Sequence, residues 1–285
     1  MTISIAATTR GSRLFRRYGP WAIVTGASDG IGRAAAAALA AEGFHLALVA
    51  RRAPILAQVA RTLQAADGIE ARVLAADLAS PSEVERIDLK TRDLDVGLLF
   101  AAAGFGTSGP FVDNAVADEL EMVDVNCRAL VQSAHAFAKR FAARGRGGIV
   151  LMSSLVAFQG VPRAATYAAT KAFVQTFAEG LAREVKPLGV DVLASAPGPV
   201  KSGFGARAGM AINSGQTPEE VALGTLAALG RKTTVRPGLL AKALEASLAP
   251  LPRTFRVRAM ERVMAGLTRE RAASVGAHDR KEAVR

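Results

Sequence analysis

Short, nearly continuous apolar runs alternate with longer segments of helical composition along most of the chain. The runs at 21–24, 45–50, 73–76, 96–101, 148–152 and 190–194 each hold four to six residues. Strands buried on both faces of a parallel sheet carry this pattern, whereas half-exposed strands would alternate apolar with polar positions. Between the runs, helices are predicted at 31–42 (Ala-rich and closed by Gly43), 54–66, 81–90, 118–143 and 167–186. Right-handed crossovers then place helices on both faces. The expected fold class is α/β, a single doubly wound parallel-sheet domain with a basic helical C-terminal extension. Its divisions are a basic segment over 1–19, a body over 20–230 and the extension over 231–285, which Pro250 and Pro252 break into pieces. A helix drawn through 253–267 gathers Phe255, Ala259, Met260, Val263, Met264 and Leu267 on one side. Arg258 and Arg262 fall on the other, and Arg256 intrudes on the apolar side. Such a helix can pack on its own protein, close the mouth of a site or lie on an anionic membrane.

Composition narrows the function. The 285 residues are 50% hydrophobic and 21% charged, enough for one large core and too apolar for a disordered chain. Net charge is +11, but it sits at the ends. Residues 1–20 hold Arg10, Arg13, Arg16 and Arg17 with no acid, and 231–285 hold 13 Lys/Arg against 5 Asp/Glu. A near-neutral body without a basic stripe, and only 5% aromatics, argue against a nucleic-acid partner. The basic ends read as solvated surface or as a pair facing one acidic partner or anionic membrane. One cysteine, Cys127, excludes an internal disulfide, and three scattered histidines (His45, His135, His278) leave no expected metal site. Neither a signal-peptide pattern nor an apolar run of about 18 residues is present, so the cytoplasm is the expected compartment, with peripheral membrane contact as the variant reading.

Three local patterns carry chemistry. The first run ends in Thr25-Gly26-Ala27-Ser28-Asp29-Gly30-Ile31-Gly32. Glycines here let backbone N–H groups approach a pyrophosphate at a helix N-terminus, although a tight turn without ligand also favours glycine. Asp29 reads as the helix cap. At the end of the second run, where an acid would bind a free ribose 2′-hydroxyl, stand Arg51 and Arg52, which suit a 2′-phosphate. Tyr167 and Lys171, four apart in YAATK, share one helix face, and Ser153-Ser154 close the fifth run. A phenol with a pKa of about 10 needs a nearby cation to work near neutrality, and an ammonium together with a cationic nicotinamide would supply it.

On these motifs the chain resembles the short-chain dehydrogenase/reductase family over about residues 20–210. The resemblance implies a Rossmann-type sheet and a site of Asn126, Ser154, Tyr167 and Lys171. In that site Tyr167 exchanges the proton, Ser154 holds the carbonyl oxygen, Lys171 anchors the ribose and lowers the tyrosine pKa, and Asn126 holds a relay water. It implies a cofactor site of Gly26, Ser28, Asp29, Gly30, Ile31, Gly32, Arg51, Asp77, Leu78, Gly104, Tyr167, Lys171, Pro197, Gly198, Val200 and Ser202. NADP is the expected cofactor, with Arg51 and secondarily Ser28 on its 2′-phosphate. The family's Asn-Asn-Ala-Gly is here Ala101-Ala102-Ala103-Gly104, which forfeits two side-chain hydrogen bonds. Family members pair the helices equivalent to 118–143 and 167–186, so a homodimer or homotetramer is expected. Phe173, Val174, Phe177 and Leu181 are the candidate contact residues.

The resulting expectation is an NADP(H)-dependent oxidoreductase that interconverts a small-molecule carbonyl and a secondary alcohol. The alternatives are a long-chain 3-ketoacyl or other lipid carbonyl reductase at a membrane surface and, as a minor reading, a non-catalytic cofactor-binding regulator. The segment 203–220 reads as a lid. Cys127 reads as a small buried hydrophobe, His135 as a surface residue and Asp95 as structural.

Overall fold

In the computed structural model, which describes residues 12–212 and 215–282, the apolar runs form a wholly parallel sheet. In chain order the elements are α1 (Arg13–Tyr18), β1 (Trp21–Thr25), α2 (Gly30–Ala41), β2 (His45–Ala50), α3 (Ala53–Asp67), β3 (Ala71–Ala75), α4 (Pro81–Leu89), β4 (Val96–Ala101), α5 (Val116–Val123), α6 (Ala129–Arg144), β5 (Gly147–Met152), α7 (Ala165–Val185), β6 (Val190–Ser195), α8 (Gly203–Ala208), α9 (Pro218–Ala228), β7 (Thr234–Val235), α10 (Leu239–Leu248) and α11 (Arg253–Glu282). Strand order is β3-β2-β1-β4-β5-β6-β7. The order reverses between β1 and β4, and a crevice opens there at the carboxyl ends of the strands.

Period-two alternation sorts the strand residues onto two cores. Ala22, Val24, Leu46, Leu48, Leu98 and Phe100 face α2, α3 and α9. Ile23, Ala47, Val49, Leu99, Ile149 and Leu151 face α4, α6 and α7. Burying each Leu or Phe contributes about 1.5–3 kcal/mol, so both faces select apolar residues. Asp191, inside β6, is the exception, and a buried carboxylate requires partners. The Tyr18 hydroxyl donates to it at 2.7 Å, Lys186 Nζ lies 2.7 Å away and Arg17 completes the set. Their hydrogen bonds and charges outweigh its desolvation and hold its pKa below the ordinary value. Tyr18, seen in the sequence only as part of a basic segment, is thus fully buried.

Several elements differ from the sequence expectation, among them α8 and α9, which the reading of 203–220 as a lid leaves out. The helix predicted over 118–143 is interrupted by a π-helical turn at Asp124–Arg128, since its hydrogen-bond register leaves no trace in apolar periodicity. β7, two residues long, is too short to read as a run. α1 was not anticipated. α1 packs at the amino ends of the strands, where Arg13 donates to the Leu229 carbonyl at 2.9 Å and Arg17 pairs with Asp191. α11 lies over the carboxyl ends, a strand length of roughly 17–20 Å away. Arg10 lies outside the described residues, as do residues 213 and 214 of the expected lid.

Candidate active site

The crevice is a cleft of about 1020 Å³. At its β1 edge Gly26 has φ +70°, and a Cβ there would stand 2.9 Å from the Ala103 nitrogen, so both conformation and space demand glycine. A Cβ on Gly32 would strike the Gly26 carbonyl where α2 crosses the turn. Asp29 caps α2, its carboxylate accepting from Gly30 N at 2.7 Å. The first turn of α2 lines the cleft with N–H groups that have no intrahelical partner, a setting that favours an anion. Beside it, Ala103 N donates to Thr25 Oγ1 at 3.1 Å. A hydroxyl from β1 therefore makes one tie to the segment where the two asparagines are missing.

At the far end, Arg51 and Arg52 follow β2. Arg52 donates to Ser28 Oγ at 3.3 Å. Arg51 meets the carboxylate of Glu121, brought from α5, at 3.4 Å. Arg207 of α8 reaches the same carboxylate at 3.3 Å, its guanidinium carbon 3.7 Å from the centre of the Phe105 ring. Sequence reasoning missed Glu121, Phe105 and Arg207, which share no motif and lie far apart along the chain.

β5 delivers Ser154, and α7 presents Tyr167 and Lys171 one turn apart. Ser154 stands beside Tyr167 and lowers its pKa, and Lys171 Nζ donates to the Met152 carbonyl at 2.8 Å while lying 5.8 Å from the tyrosine ring centre. Burial pulls the Lys171 ammonium down to about 8. Burial pushes the Tyr167 phenol up to about 12, against the Ser154 hydrogen bond, which lowers it. With the protein's own groups alone, desolvation of the phenol outweighs the Ser154 hydrogen bond and the phenol stays protonated. A protonated phenol is set to donate.

Ser154 and the sixteen residues expected to bind cofactor, Tyr167 and Lys171 among them, all line this one cleft. Among them, Ser202 also caps α8 by accepting from Phe204 N at 3.4 Å. Asn126 does not line it. It is buried in the π-helical turn, donating to Phe105 O at 2.9 Å and Thr170 Oγ1 at 3.1 Å and accepting from Phe105 N at 3.1 Å. Its side chain holds the segment after β4 in place: both amide hydrogens are engaged, and Oδ1, which accepts once, keeps a lone pair.

The remaining wall is apolar and was only one of the options open in the sequence. Ala259, Met260, Val263, Met264 and Leu267 of α11 line it, and the Leu267 carbonyl accepts from Ala211 N at 3.3 Å. Phe255 points outward instead, 55% exposed. Arg256, which seemed to intrude, turns back to the Leu251 and Ala249 carbonyls after α10, at 2.7 and 2.9 Å. Cys127 is half-buried, with its thiol pKa raised by burial. His135 is exposed, Asp95 pairs with Arg144, and the His278 side chain lies outside those described. Among the described residues no group of three or more His, Cys, Asp or Glu is placed to hold a metal.

Residues 20–211 match the short chain dehydrogenase family. The chain belongs to it. A very-long-chain 3-oxoacyl-CoA reductase of Podospora anserina is 37% identical over 185 residues, 63% of this chain and 54% of that protein, so this chain spans about half the length of that relative. A structure solved to study 7beta-hydroxysteroid dehydrogenase stereoselectivity superposes with a TM-score of 0.80 at 26% identity, covering 87% of this chain and 99% of the other. A short-chain dehydrogenase from Sphingobium yanoikuyae in complex with NADPH gives a TM-score of 0.73 at 30% identity, covering 81% and 94%.

Proposed function

We propose that this short-chain dehydrogenase is an NADP(H)-dependent oxidoreductase that interconverts an apolar ketone and its secondary alcohol. The observation that carries the reading is the position of Tyr167, with Ser154 and Lys171, in a cleft with two unlike ends. One end has the glycine turn and the arginines, and the other has the apolar wall of α11. The glycine turn and the first turn of α2 suit a pyrophosphate, and Arg51, Arg52 and Ser28 suit a 2′-phosphate. The nicotinamide, when bound, supplies or accepts the hydride. Ser154 and Tyr167 hold the carbonyl oxygen, and Tyr167 Oη gives up its proton as charge develops there. Lys171, fixed on the Met152 carbonyl, stabilises the phenolate left behind. Met260, Met264 and Leu267 keep water from the apolar end and favour a substrate with a large hydrocarbon part.

The similarity to a 3-oxoacyl-CoA reductase keeps a lipid carbonyl as the second reading. It is favoured by the outer side of α11, where exposed Phe255 stands among exposed Arg253, Arg258 and Arg262 and the cleft-lining Val263 reaches the rim half-exposed, a surface suited to anionic lipid. No helix among the described residues is long and apolar enough to cross a membrane. The site serves a homodimer or homotetramer: Phe173 and Phe177 stack at 6.0 Å on the outer side of α7, and Val116 and Leu120 of α5 are exposed. Val174, also expected there, faces the sheet instead.

The deciding experiment follows NADPH absorbance against steroid ketones, 3-oxoacyl thioesters and small polar ketones, with and without anionic vesicles. Turnover of the apolar ketones is expected. A preference for small polar ketones, or equal use of NADH, would contradict the reading.

A further inference from the structure

The Arg51 guanidinium, on which the cofactor reading above relies, is not idle. Its partner is Glu121, seventy residues away on α5, and the same carboxylate oxygen is 3.4 Å from Arg51 and 3.3 Å from Arg207. The β2 end carries no acid of its own in sequence, so the fold imports one from another element to the place where a ribose 2′-substituent would sit. Arg207 comes from α8 and rests on the Phe105 ring, which follows the cofactor-facing Gly104. Both arginines and Glu121 line the cleft.

We propose that Glu121 is a specificity-determining residue that limits the preference for NADP over NAD by occupying Arg51 as a counter-ion. A 2′-phosphate must take Arg51 from this carboxylate and then sit beside the carboxylate's charge. A cofactor with a free 2′-hydroxyl meets neither cost. Arg207 is the other half of the arrangement: Glu121 and Phe105 seat it across the cleft, where it holds α8 over whichever cofactor is bound. Arg207 therefore acts on both cofactors, and Glu121 acts on the ratio between them.

The test is titration of the full chain with NADPH and with NADH, read as two dissociation constants and their ratio. Glu121→Gln keeps the side-chain length on a partly exposed helix position. Removing an exposed ion pair of this kind is worth about a two- to fivefold rise in the NADPH:NADH affinity ratio. Loss of the α8 seat, felt equally by both cofactors, cancels in that ratio. Arg207→Met weakens both and, by leaving Glu121 to Arg51 alone, does not raise the ratio, and Arg51→Ala collapses the ratio towards one. A ratio that is unchanged or lower in Glu121→Gln while Arg51→Ala collapses it overturns this proposal alone. A ratio untouched by Arg51→Ala overturns the 2′-phosphate reading and the proposal with it. A rise of ratio is not produced by general damage to the fold, which loosens both cofactors.

Discussion

Asn126→Ala tests whether the asparagine side chain is a fastening or a member of the proton relay. Cutting the side chain at Cβ removes the acceptor for Phe105 N and the donor to Phe105 O. Phe105 is 5% exposed, so water does not replace these partners. Thr170 loses a donor but keeps its own hydrogen bond to the Tyr167 carbonyl at 2.8 Å. Two stranded backbone groups at about 1–3 kcal/mol each give a cost of about 2–6 kcal/mol. Against a usual total of 5–15 kcal/mol, such a loss is large. At about 2–4 °C per kcal/mol for a chain of this size, the melting temperature should fall by about 4–24 °C. Thermal unfolding of the free protein measures this without any substrate. Because Phe105 also seats Arg207, NADPH affinity should fall in parallel. Asn126→Asp should be no milder, since a carboxylate accepts from Phe105 N but cannot donate to Phe105 O. A melting temperature within about 1 °C of the parent, with turnover alone lost, would refute the reasoning and return Asn126 to a relay role.

Stability should carry two alkaline signatures in unfolding scans. Lys171 sits at about 8 when folded against an ordinary 10.5, so the folded chain binds fewer protons between those values and stability rises with pH there; Lys171→Met should abolish the rise. Tyr167, at about 12 against 10.0, and Tyr18, whose pKa burial raises further, keep their protons where the unfolded chain loses them, so stability should fall as pH climbs from 10 towards 12. Phe173→Glu, at a 44% exposed position, should shift the mass by light scattering from an oligomer to a monomer while the melting temperature changes little, and an unchanged mass would remove α7 from the interface. Met264→Ala, at a side chain 4% exposed, should destabilise by about 2–4 kcal/mol and raise KM for apolar ketones more than for small ones, and a uniform change would contradict its place in the substrate wall.

Local spacing made much of the site legible. The glycine turn, Tyr167 with Lys171, and Ser154 each declare themselves within a few residues, because a turn or one helical face brings them together. The alternation of apolar runs and helices likewise conveyed the doubly wound sheet. What stayed hidden depends on distance in sequence. Glu121 reaches Arg51 across 70 residues and Tyr18 reaches Asp191 across 173, and no period connects either pair. Asn126 stands out in the sequence only through the family resemblance, and the π-helical turn that buries it is invisible to apolar periodicity. The helix over 253–267 showed its apolar side plainly, but not what that side covered. That answer came only from its packing against Val161, Ala164 and Ala168 beside Tyr167.

The most direct test of the account is Tyr167→Phe, measured for NADPH binding and for turnover of an apolar ketone in the same preparation. The ring packing against Phe204, at 5.3 Å between centroids, is kept and only the hydroxyl is removed. NADPH affinity should therefore stay within a few-fold of the parent, while turnover falls by about 10²–10⁴, the range expected when a positioned proton donor is lost. Near-native turnover in this variant would contradict the central claim that Tyr167 supplies the proton.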